Sequence, residues 1–271
     1  MEAEFRLLGE IELRVGDRVI DRVVDLGHAR QRCVLAVLLV DANRLVPADQ
    51  LLDRVWADRP PRRARNALSG DLSRLRSLLG SLPQPLDVAI ERAPGGYTLN
   101  IEESMVDIHQ FQALAGKGRA TGDESLLERA LGLWRGEAFG TLDTPWINDV
   151  RARLDAERRA VELDFNDLAL ACGRHSELLA DLYARARETP QDERLAGQLM
   201  LALYRGGRQS EALRHYEIVR RGLAEELGAD PTPGLQALHR GILVNGGSPT
   251  RETRGFPTAP AGRRSPARGR A

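Results

Sequence analysis

RPPRRARNALSGDLSRLRSLLG, residues 59–80, is followed after a short proline-containing link by LDVAIERAPGGYTLN, residues 86–100. In the first stretch Leu68, Leu72, Leu75 and Leu79 recur at spacings of four, three and four, which makes one apolar stripe on a helix. The opposite face carries Asn66, Ser69, Gly70, Ser73 and Arg76, with Arg74 on its flank. These are small or hydrogen-bonding side chains, unlike the Glu/Lys mix of an ordinary solvated face. In the second stretch Leu86, Val88 and Ile90 alternate, Ala93-Pro94-Gly95-Gly96 turns, and Tyr97, Leu99 and Ile101 resume the alternation. That pattern is a hairpin.

Upstream, residues 4–24 read as a small antiparallel sheet. Phe5 and Leu7 alternate, Gly9 breaks the run, Ile11, Leu13 and Val15 alternate, Gly16-Asp17 turns, and Val19 and Ile20 follow. His28 to Val40 is helical, with Cys33, Val34, Val37 and Leu38 on one side. Leu45 and Val46 suit a brief strand. Pro47 stands at the first turn of a short helix, Ala48–Trp56, that buries Leu51, Leu52, Val55 and Trp56. Pro60 and Pro61 then hold the chain extended until the long helix begins near Arg63. Sheet, helix, helix, loop, long helix, hairpin is the order of a winged helix-turn-helix, which sets its long helix in the DNA major groove and its hairpin beside the backbone or minor groove.

Beyond residue 101 the strand signals stop. Helical patterns cover Asp107–Ala120, Glu124–Trp134 and, after the glycine-containing break RGEAFGTLDTP, Trp146–Ala171. Gly173-Arg174-His175-Ser176-Glu177-Leu178-Leu179 then matches Gly207-Arg208-Gln209-Ser210-Glu211-Ala212-Leu213 at an offset of 34 residues, the tetratricopeptide period. Such helix pairs stack on their neighbours and leave a concave surface. Residues 246–271 are rich in Pro, Gly, Ser and Arg and are expected to be a disordered basic tail. The expected fold is mainly α with a small antiparallel β part. A winged helix over 1–101 is followed by an all-α tetratricopeptide-like region over 102–245.

The formal net charge of zero conceals a partition. Residues 1–100 carry 15 Arg and 14 acidic residues, residues 101–247 carry 18 basic and 24 acidic, and residues 248–271 carry 6 Arg and 1 Glu. Within 59–76 there are 6 Arg against 1 Asp, and local charge is what phosphates sense over a Debye length of about 8 Å. Arginine outnumbers lysine 38 to 1, a bias ascribed to genomic base composition and so without functional weight. Cys33 and Cys172 sit in helical apolar patterns and read as small buried hydrophobes of a reducing compartment. No Cys/His cluster points to a metal, no nucleotide loop to a cofactor, and no Ser/His/Asp or paired-carboxylate set to an enzyme. No apolar run reaches the ~18 residues of a membrane span, and the acidic N-terminus is unlike a signal peptide. A cytoplasmic, non-enzymatic protein is expected.

Arg62, Arg63 and Arg65 are either a solvated helix start or, crowding the positive end of the helix dipole, meet a compensating anion such as DNA phosphate. Asn66 and Ser69 either cap, are solvated, or read bases, where Asn suits adenine and Ser is permissive. Gly70 in mid-helix costs about 1 kcal/mol relative to alanine. Either close approach of DNA or close packing of a neighbouring helix would explain it. Arg74 and Arg76 either contact DNA or pair with acids such as Asp71. His28, the histidine nearest these residues, either caps its helix or touches a phosphate. Trp56, Trp134 and Trp146 lie on apolar faces and read as core.

SRLRSLLG followed by PGGY resembles the output domain of OmpR/PhoB-type response regulators, over residues 4–101. The resemblance implies that Ser73, Arg74 and Arg76 fall on helix positions that contact bases or phosphates. It places Arg92 close to the wing arginine, although Arg92 stands five residues before Tyr97, one more than is usual there. It also implies that the loop Ala57, Asp58, Arg59, Pro60 and Pro61 touches the sigma subunit of RNA polymerase. LWRGEAF (133–139) and MLALYRGGRQSEALRHYEIVRRGLAEELGADPTPGLQALHRGIL (200–243) resemble the bacterial transcriptional activator domain. The two in this order resemble the Streptomyces antibiotic regulatory protein family. That resemblance implies an activator that binds direct repeats upstream of promoters, as a homodimer on DNA, and recruits RNA polymerase holoenzyme at secondary-metabolite (antibiotic) genes. The alternative is an interaction adaptor whose winged helix binds protein. The larger members of the family carry an ATPase module where this chain's tail stands.

Overall fold

The computed structural model describes residues 2–16, 21–82 and 87–245. The expected turn at Asp17 with Val19 and Ile20, the strand residue Leu86, and the tail 246–271 lie outside the described residues.

Three strands, β1 (Glu2–Arg6), β2 (Glu12–Gly16) and β3 (Asp21–Val24), form an antiparallel sheet in that order. Ile11, Leu13 and Val15 turn inward at the period of two that a one-sided sheet requires. α1 (Ala29–Val40) starts at a capping box: His28 Nδ1 accepts from Gln31 N, and the Gln31 side chain accepts from His28 N. Every residue from Cys33 to Leu39 is buried, because an unbroken apolar helix must be covered all round. The brief strand β4 (Val46–Pro47) leads into α2 (Ala48–Trp56), and α3 (Ala64–Gly80) buries the stripe Leu68, Leu72, Leu75 and Leu79. The hairpin β5 (Ala89–Ala93) and β6 (Gly96–Asn100) joins β4 in a second sheet, with β6 in the middle. This is the expected winged helix.

α4 (Asp107–Thr121), α5 (Glu124–Leu131), α6 (Pro145–Ala171) and α7 (His175–Glu188) follow. α5 stops three residues short of the expected Trp134. Gly132 caps it, and the chain then turns so that Arg135 N donates to Leu8 O at 2.8 Å and Phe139 N to Leu7 O at 2.7 Å. Thr144 caps α6 and Pro145 opens it, the preferred residues for those positions.

The chain forms two compact units, Met1–Thr189 and Pro190 onward. In the first, a hydrophobic core cluster runs from Ala3 to Val161, so the core of the winged helix continues into α4–α6 across residue 101. Phe5 bridges Val106, and buried Asp107 accepts from Leu7 N and Leu8 N and pairs with Arg135 at 3.0 Å. In the second unit α8 (Glu193–Arg205), α9 (Gln209–Leu227) and α10 (Pro233–Asn245) bury Leu199, Leu203, Tyr216, Val219, Leu223 and Ile242. The repeat is visible in each helical turn taken singly. Gly173 and Gly207 have φ of +84° and +74°, and the arginine after each pairs with the glutamate three residues on. Cys33 is buried, but Cys172 is exposed, contrary to the expectation from its apolar neighbours. It is the C-cap residue of α6, and Ala171 and Gly173 beside it are exposed as well.

Candidate nucleic-acid interface

With its leucine stripe turned inward, α3 presents Arg65, Asn66, Ser69, Ser73, Arg74 and Arg76 to solvent, and Arg62 and Arg63 are exposed just before it. Gly70 is half-buried, and a methyl group placed on it meets no atom within 4 Å. Close helix packing therefore does not explain the glycine. Arg63 occupies the N-cap and offers no side-chain acceptor, and no acidic residue stands in the first turn. Arg62 and Arg63 make no ion pair with a described residue. The positive end of the dipole and these two guanidinium groups thus reinforce each other. Arg65 pairs with Asp49 at 2.6 Å, but both are largely exposed, where such a pair is worth little.

Arg74 and Arg76 are engaged. Arg74 Nη1 donates to buried Asp71 at 3.2 Å, and Asp71 also receives Arg30 from α1 at 2.6 Å. Arg76 Nε donates to Ile90 O at 2.7 Å, and its guanidinium lies 5.8 Å from the centre of the Tyr97 ring, so it braces the hairpin against α3. Arg92 is exposed on β5, opposite Tyr97 in the register, and makes no ion pair with a described residue. The hairpin turns tightly at Pro94-Gly95, with Gly95 at φ +88°. Gly96 is required where β6 crosses β4, because a Cβ there would stand 2.2 Å from Val46 O. Arg30 and His28, whose Nε2 approaches Asp71 to 3.6 Å, carry no sequence signal for this pairing. Arg30 lies 41 residues from Asp71, and no spacing rule connects them.

The loop before α3 is an exposed ledge. Ala57 takes the left-handed φ of 48°, Arg59 N donates to Trp56 O and Ala64 N to Pro61 O, and Asp58 through Pro61 face solvent. An open cleft of about 660 Å³ lies between this loop, α2 and the start of α3, lined by Asp49, Leu52, Pro60, Pro61, Arg62 and Asn66 among others. Among the described residues no group of three or more His, Cys, Asp or Glu could hold a metal ion, and no helix is long and apolar enough to cross a membrane.

Fold and surface together define a winged-helix protein with a basic leading edge and a tetratricopeptide-like extension. Residues 106–243 match the bacterial transcriptional activator domain. The chain is 37% identical to the regulatory protein AfsR of Streptomyces griseus over 246 residues, which is 88% of this chain and 24% of AfsR. It is 32% identical to the regulatory protein DnrI of Streptomyces peucetius over 227 residues, 79% of this chain and 84% of DnrI. The solved structure of Mycobacterium tuberculosis EmbR, in complex with a low-affinity phosphopeptide, superposes with a TM-score of 0.79 at 34% identity, over 90% of this chain and 65% of that one. The chain belongs to the Streptomyces antibiotic regulatory protein family of transcriptional regulators. It spans about a quarter of the length of AfsR.

Proposed function

We propose that this chain is a sequence-specific DNA-binding transcriptional activator, with residues 1–101 as the DNA-binding part and 102–245 as the activator region. The observation that carries the reading is the exposed face of α3: small and hydrogen-bonding side chains headed by Arg62 and Arg63, which make no ion pair with a described residue. α3 enters the major groove. Asn66, Ser69, Ser73 and Arg74 lie toward base edges, and Gly70 admits close approach. Arg62, Arg63 and Arg65 hold phosphates, and Arg92 reaches the adjacent backbone or minor groove. Arg76 contributes through the hairpin it braces and through any phosphate within reach of its exposed side. Phosphate contacts set the register, and base contacts set the sequence. The ledge Ala57–Pro61 is the contact for RNA polymerase holoenzyme through its sigma subunit. Two protomers occupy direct repeats upstream of secondary-metabolite promoters, in the cytoplasm.

A mobility-shift assay on promoter DNA across a salt series tests the core of this. Each phosphate neutralised contributes about −0.9 to the log–log slope, so replacing Arg62 and Arg63 by Gln should flatten it by about 2. A wild-type protein that shifts no DNA would refute the reading and favour the adaptor, in which the winged helix binds protein. Replacing Asp58 and Arg59 by Ala should spare DNA binding and abolish transcription in a reconstituted assay. Lost DNA binding in that variant would remove the polymerase role.

A further inference from the structure

Asp71 precedes Arg74 by one helical turn on α3, yet its carboxyl group is 0% exposed. A buried carboxylate is costly unless charged groups hold it. Three groups converge on this one. Arg30, the second residue of α1, donates from Nε at 2.6 Å and from Nη2 at 3.3 Å. Arg74 donates from Nη1 at 3.2 Å. His28 Nε2 stands 3.6 Å away, while its Nδ1 accepts from Gln31 N. Arg30 also lies over the ring of Trp56 in α2, 5.7 Å from its centre. The carboxylate thus ties α3 to α1, and the Arg30 it holds rests on α2.

Exposure divides the cluster. The anion is fully covered, whereas the Arg30 side chain is 39% and that of Arg74 62% exposed. The negative charge cannot meet a phosphate, and the cations can. Arg74 has five N–H donors, and Asp71 engages one nitrogen. The others remain on the outer face of α3.

We propose that Asp71 is a positioning residue for DNA recognition: it presets the guanidinium plane of Arg74 for a forked contact with a base edge. This rests on the DNA-binding reading above. A forked contact to a base requires the guanidinium plane to be correctly oriented. An unrestrained arginine loses much rotamer freedom on reaching that orientation, and a side chain already tethered loses less. Arg30 serves a different end. With two bonds to the carboxylate and a ring beneath it, it balances the buried charge and holds the helices together.

The experiment uses the full chain. Selection from a random duplex library first defines the wild-type site. Failure to enrich any sequence would refute the DNA-binding reading itself. Affinities are then measured for that site and its single-base-pair variants. Arg74→Ala should lose roughly tenfold in discrimination at one or two base pairs. Asp71→Asn should lose most of the same discrimination at the same base pairs, without weaker binding to unselected DNA, because a negative charge has gone. In the Arg74→Ala background Asp71→Asn should change discrimination no further. Arg30→Gln should melt at lower temperature yet discriminate as wild type does, since the Asp71–Arg74 pair survives. Full discrimination in Asp71→Asn would overturn the proposal. So would an equal loss in Arg30→Gln, which would mean that Asp71 acts only through the fold. Should Asp71→Asn fail to fold, Asp71→Glu keeps the charge and displaces the carboxylate by one methylene. It should show the Arg74→Ala pattern of loss, and an unchanged pattern would overturn the assignment.

Discussion

Gly70→Ala separates stability from function in this protein. Gly70 lies within α3 with an ordinary helical φ, and a Cβ built on it meets open space to 4 Å. Glycine inside a helix costs about 0.5–1 kcal/mol relative to alanine, mainly through the freedom it retains when unfolded. No neighbouring atom and no left-handed backbone offsets that cost here, so alanine should recover nearly all of it. For a cooperative unit the size of Met1–Thr189, a gain of that order raises the melting temperature by about 2 °C. The same methyl group stands between Ser69 and Ser73 on the face assigned to the groove. Binding to a selected duplex should therefore weaken while the fold grows stronger. Thermal melting by circular dichroism and a mobility shift on the same preparation read the two effects. A lower melting temperature would show that the space is not free. A higher one with unchanged DNA affinity would remove Gly70 from the approach of DNA.

Asp107→Ala leaves the amides of Leu7 and Leu8 and the Arg135 guanidinium without their buried partner, and should cost about 3–5 kcal/mol in urea unfolding. A loss below about 1 kcal/mol would mean that this link between the segment after β1 and α4 is incidental. Burial lowers the pKa of His215 from its ordinary 6.5, so the folded chain keeps it neutral after the unfolded chain has taken up a proton. Its contribution is therefore complete above about pH 6.5 and is lost as the pH falls. The urea midpoint should drop more steeply on acidification in wild type than in His215→Gln, and parallel curves would refute the assignment. Burial pushes the Cys33 thiol up to about 11, whereas Cys172 is exposed. A disulfide reagent at neutral pH should label Cys172 quickly and Cys33 only after denaturation. Fast labelling of both would contradict the burial of Cys33.

Much of the architecture was legible because it rests on short-range periodicity. The stripe Leu68, Leu72, Leu75 and Leu79, the alternation about Pro94-Gly95, and the repeat of Gly173-Arg174 at Gly207-Arg208 each lie within a few turns of chain. α3 and the hairpin accordingly stand within a few residues of the expected positions. Asp71 left one faint signal: three residues after Leu68 and four before Leu75, it falls on the edge of the buried stripe. Its partner Arg30 left none. Nor did the meeting of Leu7 and Leu8 with Arg135 and Phe139, which carries the core across residue 101. Cys172 misled because apolar neighbours mark a helix face and do not show where that face ends.

The sequence by itself determined which segments are helices and strands, their order, and the concentration of arginine before and along α3, all properties of residues close in the chain. The tertiary structure decided which of those arginines are free. Arg62, Arg63, Arg74 and Arg76 are the same side chain within 15 residues. Two make no ion pair with a described residue, one is tied to a buried carboxylate, and one to a strand carbonyl. Pairing depends on distances of about 3 Å between groups that the chain brings together only on folding, so no linear pattern could distinguish them.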